Sequence, residues 1–382
     1  MLQNPQCANP DPSSSANNSW FASHTTALRG LAKTFFLLMV CGYFAFHYSL
    51  NSSFLKLPLY TRGLERTPYQ YRVLTMVVFR ILMQSRLTLR LASHLSFLQY
   101  DPYMMVLTGI AFFGMLGALL VTRLTIARLT GDGIYAFWAA LLLALMSYMQ
   151  LASNGSFTLP YDVPSLFFFS LGIYLILSRR LWGYYLMFPL AVLNRETACF
   201  ITVFFVIWEW VRLAKSDVAI KSRLLRIAPH ALIQATLWIA IKMLLARAYA
   251  HNPAEVGSVA GGLFNTMLGY NLHEIMKPQQ WPVLLSVCGF SLPFLFLQRR
   301  WVRCDGLYYA CAIILPVYFV GMMFVGVIIE LRIFTEWIPL VVPAIALIVH
   351  NRLRPATEVV GSSTGLDYTA PRCVQNYKTG DL

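Results

Sequence analysis

Apolar residues fall in long runs separated by short basic clusters, and most runs approach the roughly 20 residues a helix needs to cross a bilayer. Read by hydropathy, they predict about ten spans, at 31–50, 103–121, 133–151, 165–178, 181–193, 198–211, 227–248, 281–297, 306–329 and 334–350. The runs are continuously apolar, whereas a membrane barrel would alternate in short segments. The expected fold class is therefore all-α, a polytopic transmembrane helical bundle forming one domain over 29–354. No internal repeat is visible. The runs at 181–193 and 198–211 are short, about 20 Å each at 1.5 Å per residue against a hydrocarbon core near 30 Å. Joined into one helix, they would put Arg195 and Glu196 at mid-membrane. Two short helices meeting at a charged break are the better reading. Irregular backbone at that depth is tolerated only against protein or a watery cavity, so the break points to an outward-open cavity.

Residues 51–100, after the first span, form the longest early loop. They carry Lys56, Arg62, Arg66, Arg72, Arg80, Arg86 and Arg90 against the single acid Glu65. From Arg72 to His94 the pattern is helical. At 100° per residue, Arg72, Arg80, Arg86, Arg90 and His94 share an arc of about 120°, and Val73, Leu74, Val77, Val78, Ile81 and Leu91 mostly fill the remainder. Phe79 is the exception on the basic side. This predicts an amphipathic helix at the membrane interface, either a plain anchor on anionic lipid or a segment whose arginines grip a phosphate. Arginine suits that second task because its planar fork makes paired charge-assisted bonds.

Composition agrees with a membrane protein. The chain is 58% hydrophobic and only 12% charged, with a mean hydropathy of +0.59, where soluble domains carry roughly 25% charged residues. The net charge of +14 needs no nucleic-acid partner, because much of the excess lies in short loops, as the positive-inside rule expects of a cytoplasmic face. That rule puts both termini in the cytoplasm and residues 51–100 outside. Cys7, Cys41, Cys199, Cys288, Cys304, Cys311 and Cys373 are scattered without CxxC pairing, so neither a disulfide framework nor a zinc site is expected. Residues 1–28 and the tail 355–382 are polar and are expected to lack structure. The first apolar run starts too deep, and is too long, for a cleaved signal peptide.

Charge also gathers at the outer ends of spans: Glu65 with Arg72, Asp162, Arg195 with Glu196, and Glu330 with Arg332. Ion pairs that fix helix packing are the simpler account of any single one. Their recurrence at membrane depth makes the set a candidate site. Asp162, between Pro160 and Pro164, also suits a helix N-cap. Glu336 is either a buried partner of an outer arginine or a packing residue. His273-Glu274 lacks the second His of a zinc protease. Gly261-Gly262 reads as a flexible loop, and Tyr100, Tyr103, Tyr161 and Trp281 fit an interfacial aromatic belt.

The layout resembles the GT-C superfamily of polytopic glycosyltransferases. The likeness rests on the long first outer loop and on Pro68-Tyr69-Gln70-Tyr71-Arg72, Tyr161-Asp162-Val163-Pro164-Ser165, Asn194-Arg195-Glu196-Thr197 and Glu330-Leu331-Arg332-Ile333-Phe334. The strings also resemble stretches of uncharacterised bacterial multi-span proteins. The resemblance implies an inner-membrane enzyme that takes a sugar from a polyprenyl-phosphate-linked donor. The family places a catalytic acid soon after the first span. Here Asn51-Ser52-Ser53 holds none and there is no Asp-x-Asp, so the implied general base is Glu65 first and Asp162 second. Arg72, Arg195 and Arg332 would bind the lipid phosphate, with Glu196 and Glu330 holding them. A divalent metal enters only if the outer acids converge. Two alternatives keep the arginines: a transporter or flippase of an anionic lipid or glycan, with no base, and a polysaccharide polymerase.

Overall fold

The computed structural model describes residues 12–94, 101–153, 157–254 and 267–353, with side chains from Leu28 onward. The readings of residues 1–11, Tyr100, Gly261-Gly262, Cys7, Cys373 and the tail after 353 fall outside it.

The described chain is helical throughout, with isolated bridges in place of strands. Its helices are α1 (Pro12–Leu50), α2 (Leu57–Arg62), α3 (Val73–Gln84), α4 (Arg86–His94), α5 (Pro102–Thr130), α6 (Gly133–Ser147), α7 (Asp162–Leu177), α8 (Leu181–Asn194), α9 (Cys199–Lys215), α10 (Ile220–Ala248), α11 (Leu268–Ile275), α12 (Trp281–Leu285), α13 (Ser291–Leu297), α14 (Asp305–Val325) and α15 (Ile338–Leu353). Seven helical stretches among the described residues are long and apolar enough to cross a membrane: Leu28–Leu50, Pro102–Thr130, Gly133–Ala152, Glu196–Lys215, Ile220–Ala248, Asp305–Val325 and Leu331–Leu353. The expected spans at 165–178 and 181–193 are the shorter apolar helices α7 and α8.

Three expectations need correction. The run at 281–297 is not one helix: α12 stops at Leu285, and Cys288, Gly289 and Phe290 all take positive φ before α13 starts. Gly289 suits the positive φ of the break, whereas Pro282 lies in the first turn of α12, and apolarity alone could not reveal the interruption. The first helix begins at Pro12, inside the stretch expected to lack structure; proline suits a helix start and no breaker follows until the span. The arginine stretch is two helices, α3 and α4, parted at an extended Ser85. Arg72 sits at the N-cap of α3 and is buried, so the basic face is not wholly turned to water. Phe79, the misfit of the helical wheel, is fully buried with its ring edge-on to Tyr60, while Val77, Val78 and Ile81 remain exposed.

Local chemistry sets the turns. Asp101 caps α5 by accepting from Met104 N at 2.7 Å, with Pro102 next to it. Gly131, at φ 74°, ends α5, and Asp132 caps α6 through Ile134 N and Tyr135 N, both at 2.9 Å. Close helix approach is bought with small residues: a Cβ on Gly117 of α5 would lie 2.7 Å from the Phe167 ring of α7. The stretch Leu331–Leu353 is 94% buried in its apolar window and forms the bundle axis, whereas α10, at 6%, lies at the edge.

The two ends differ. At one end, Lys215 pairs with Asp305 at 2.6 Å, Asn351 donates to Trp301 O at 2.7 Å, and Arg300, Arg303 and Arg352 each stand 5.7 Å from the Trp301 ring. The opposite end gathers the charged segments singled out in the sequence.

Candidate functional site

Segments far apart in sequence are stitched together at that second end. Tyr48, at the end of α1, donates to Leu159 O at 2.6 Å and accepts from Leu159 N at 3.0 Å. Thr158 N donates to Ser52 O at 3.0 Å. These bonds hold the turn that starts α7 and so place Asp162. Asp162 is the first residue of α7 and makes no cap bond, so the N-cap reading is not observed.

The charged break between α8 and α9 is present. Arg195 is extended, followed by a single tight turn, Glu196–Ala198. Asn194 anchors it, donating to Tyr161 O and Ser165 Oγ, each at 3.1 Å, and accepting from Thr75 Oγ1 at 2.9 Å. The neighbouring Arg195 then bridges two carboxylates: its Nη1 lies 3.1 Å from Asp162 Oδ1 and 2.8 Å from Glu336 Oε1. Glu336 also accepts from Thr197 Oγ1 and the Tyr318 hydroxyl, both at 2.9 Å. Glu336 is thus a buried partner of Arg195.

Arg72 donates through Nη1 to the Tyr161 hydroxyl at 2.6 Å and through Nη2 to Glu196 at 3.0 Å, and it lies 4.2 Å from the Tyr161 ring. Arg332 pairs with Glu330 at 2.6 Å and stands 5.6 Å from the Phe54 ring; its charge also acts on Asp162 and Tyr161. Arg72, Asp162, Arg195, Glu196, Glu330, Arg332 and Glu336 therefore form one cluster around Tyr161 and Asp162. Tyr161 is fully buried and is not part of an interfacial belt. Burial pushes its phenol above the ordinary tyrosine range, so Arg72 meets it as a neutral hydroxyl. Burial disfavours the charge of Arg72, but the Glu196 carboxylate beside it offsets that and keeps it cationic.

Glu65 stands apart. One oxygen accepts from Lys56 N at 3.0 Å and the other from Arg66 N at 3.3 Å, so its carboxylate closes its own loop around α2. Among the described residues its link to the cluster is indirect, through Arg66 stacked 4.5 Å from the Phe54 ring. Arg195, expected to hold phosphate, is committed to two acids. The signals that could have found the other members are thin. Asn194 directly precedes Arg195 at the charged break, but Tyr318 lies inside a plain apolar span.

Two features bear on chemistry. Asp162 is fully buried and its Oδ2 has no hydrogen-bond partner, as is also true of the Nε atoms of Arg72, Arg195 and Arg332. The side chains of Glu196 and Glu330 are 26% and 31% exposed, so Arg72 and Arg332 are covered by acids that remain partly exposed. Each cluster carboxylate already has an arginine, and no group of three or more His, Cys, Asp or Glu side chains gathers to hold a metal among the described residues. The donor set does not fit a divalent ion. Among the described residues, Cys41, Cys199, Cys288 and Cys311 are free thiols.

Comparison with known proteins finds no matching family model, no similar curated protein and no similar solved structure.

Proposed function

We propose that the protein is a GT-C-like membrane glycosyltransferase that moves a sugar from a polyprenyl-phosphate-linked donor to an acceptor at the outer face of a cell's inner membrane. The basic end of the bundle faces the cytoplasm, with both termini, by the positive-inside rule. The observation that carries this reading is the unpartnered Oδ2 of Asp162 within a cluster of arginines. Asp162, rather than Glu65, is the general base. It shares one guanidinium with Glu336, so its charge is less fully compensated than in a pair of its own. The acceptor hydroxyl gives its proton to Oδ2. Its oxygen bonds to the anomeric carbon, the bond from that carbon to the phosphate oxygen breaks, and polyprenyl phosphate leaves with the electron pair. Arg72 and Arg332 stabilise the charge that develops on it. Direct displacement inverts the anomeric centre.

The test uses purified protein in lipid with a polyprenyl-phosphate sugar. Asp162→Asn is expected to abolish transfer while keeping donor binding. Transfer unchanged in Asp162→Asn rejects the base assignment. Movement of lipid or glycan across vesicles without turnover by the wild type rejects the enzyme and supports the flippase.

A further inference from the structure

Lys242 lies inside the membrane-spanning part of α10, six residues before its end at Ala248, about 9 Å below that end at 1.5 Å per residue. A lysine at such depth is costly and is expected to have a partner. Among the described residues no carboxylate lies within ion-pair distance of it. An anchoring lysine would snorkel out to the interface. Lys242 Nζ instead sits 5.4 Å from the Tyr71 ring, on the side of α10 that faces the cluster. One turn earlier on that side, Trp238 Nε1 donates to Glu196 O at 2.8 Å. After Arg72, Lys242 is the next cation whose charge acts on Glu196. The other side of α10 is bare: Ile239, Met243 and Leu244 are exposed and apolar. At this edge an unspent cation therefore stands between lipid and the buried arginines.

We infer that Lys242 and Arg72 form the docking position for the phosphate of a lipid-linked substrate that reaches the cluster from the bilayer side, past α10. This rests on the lipid-linked donor proposed above. The phosphate takes the place of the partly exposed Glu196 against Arg72, whose planar fork orients it, while Lys242 acts as a point charge. Lys242 is a positioning residue for the headgroup and does not touch the reacting carbon.

The experiment measures binding of polyprenyl phosphate, uncharged polyprenol and inorganic phosphate to the full chain in lipid nanodiscs, together with transfer kinetics. Lys242→Gln is expected to weaken polyprenyl phosphate binding about tenfold and to raise KM with kcat near wild type. Lys242→Arg restores binding, and polyprenol affinity does not respond to either change. Equal polyprenyl phosphate affinity in wild type and Lys242→Gln overturns the inference and leaves the proposed function standing. Failure of the wild type to bind polyprenyl phosphate overturns both. A Lys242-dependent loss confined to inorganic phosphate assigns a soluble anion and overturns the route through the bilayer. Failure of Lys242→Arg to rescue overturns the charge-based role.

Discussion

Arg195→Met removes the cation that Asp162 and Glu336 share. The three side chains are 7%, 0% and 1% exposed, and the contacts are 3.1 and 2.8 Å. At an effective dielectric near 20, the two contacts are gross attractions of about 5 and about 6 kcal/mol. Desolvation costs several kcal/mol per buried ion, so the intact triad contributes little net stability. Breaking it is different, because two carboxylates are then stranded in a dry interior. The expected loss is about 3–5 kcal/mol. At about 2 °C per kcal/mol for a large chain, the apparent Tm falls by about 6–10 °C. Tryptophan fluorescence during heating in detergent reads this, with a fixed scan rate because unfolding of such a protein is a rate process. Adding Glu336→Gln to Arg195→Met removes one stranded charge and recovers at least about 1 kcal/mol, a coupling expected of residues in contact. An Arg195→Met protein within about 1 kcal/mol of wild type, or a Glu336→Gln change that adds to the damage, refutes the buried-triad account.

Tyr161→Phe keeps the ring under Arg72 but removes the acceptor of its Nη1 bond; a hydrogen bond to a charged group is worth about 1.5–3 kcal/mol, so donor KM rises about tenfold or more in a transfer assay. Glu65→Gln loses charge from bonds to Lys56 N and Arg66 N that only close a loop; it costs about 1 kcal/mol by thermal unfolding, and transfer persists. Abolished transfer in a folded Glu65→Gln protein returns the base to Glu65. Gly117→Ala forces a Cβ to 2.7 Å from the Phe167 ring and destabilises by about 1–3 kcal/mol. The control Gly30→Ala, with nothing within 4 Å of the added carbon, leaves the apparent Tm no lower.

Much of the bundle was legible because it depends on local composition. Apolar runs bounded by basic clusters give α5, α6, α9, α10 and α14 directly, and the shortness of two neighbouring runs gives the break at Arg195. Asp162, Arg195, Glu196, Glu330 and Arg332 stood out because charge is expensive at span ends. Pairing was not legible. Nothing local says that Arg195 takes Glu336 as well as Asp162, or that Glu65, a lone acid in a basic loop, is held by the Lys56 and Arg66 amides and the Arg66 side chain. Tyr161 read as interfacial because a tyrosine beside a span end fits a belt equally well; its burial under Arg72 is tertiary. The run at 281–297 failed for a related reason. Hydropathy measures the preference for a dry place, and an irregular segment satisfies it when its amides find partners.

Those partners explain why the cluster lies where it does. Helix α6 loosens into a π turn at Tyr148–Ala152, α9 is preceded by the turn Glu196–Ala198, and α15 is preceded by a seven-residue 3-10 stretch, Leu331–Trp337, beyond the usual length of such turns. All three lie at one end of the bundle, and each exposes backbone groups that regular helix would have satisfied. Side chains from other parts of the bundle satisfy several of them. Gln150 donates to Leu331 O at 3.0 Å and accepts from Cys288 N at 3.1 Å. Tyr318 donates to Ile333 O at 2.6 Å while bonding Glu336. Arg195 and Arg332 both lie on this irregular backbone, Arg195 in the extended break before α9 and Arg332 in the 3-10 stretch before α15. The interrupted helices, costly for packing, deliver charged side chains to a shared interior position. Polar cross-links between the interruptions then offset the cost of burying those charges.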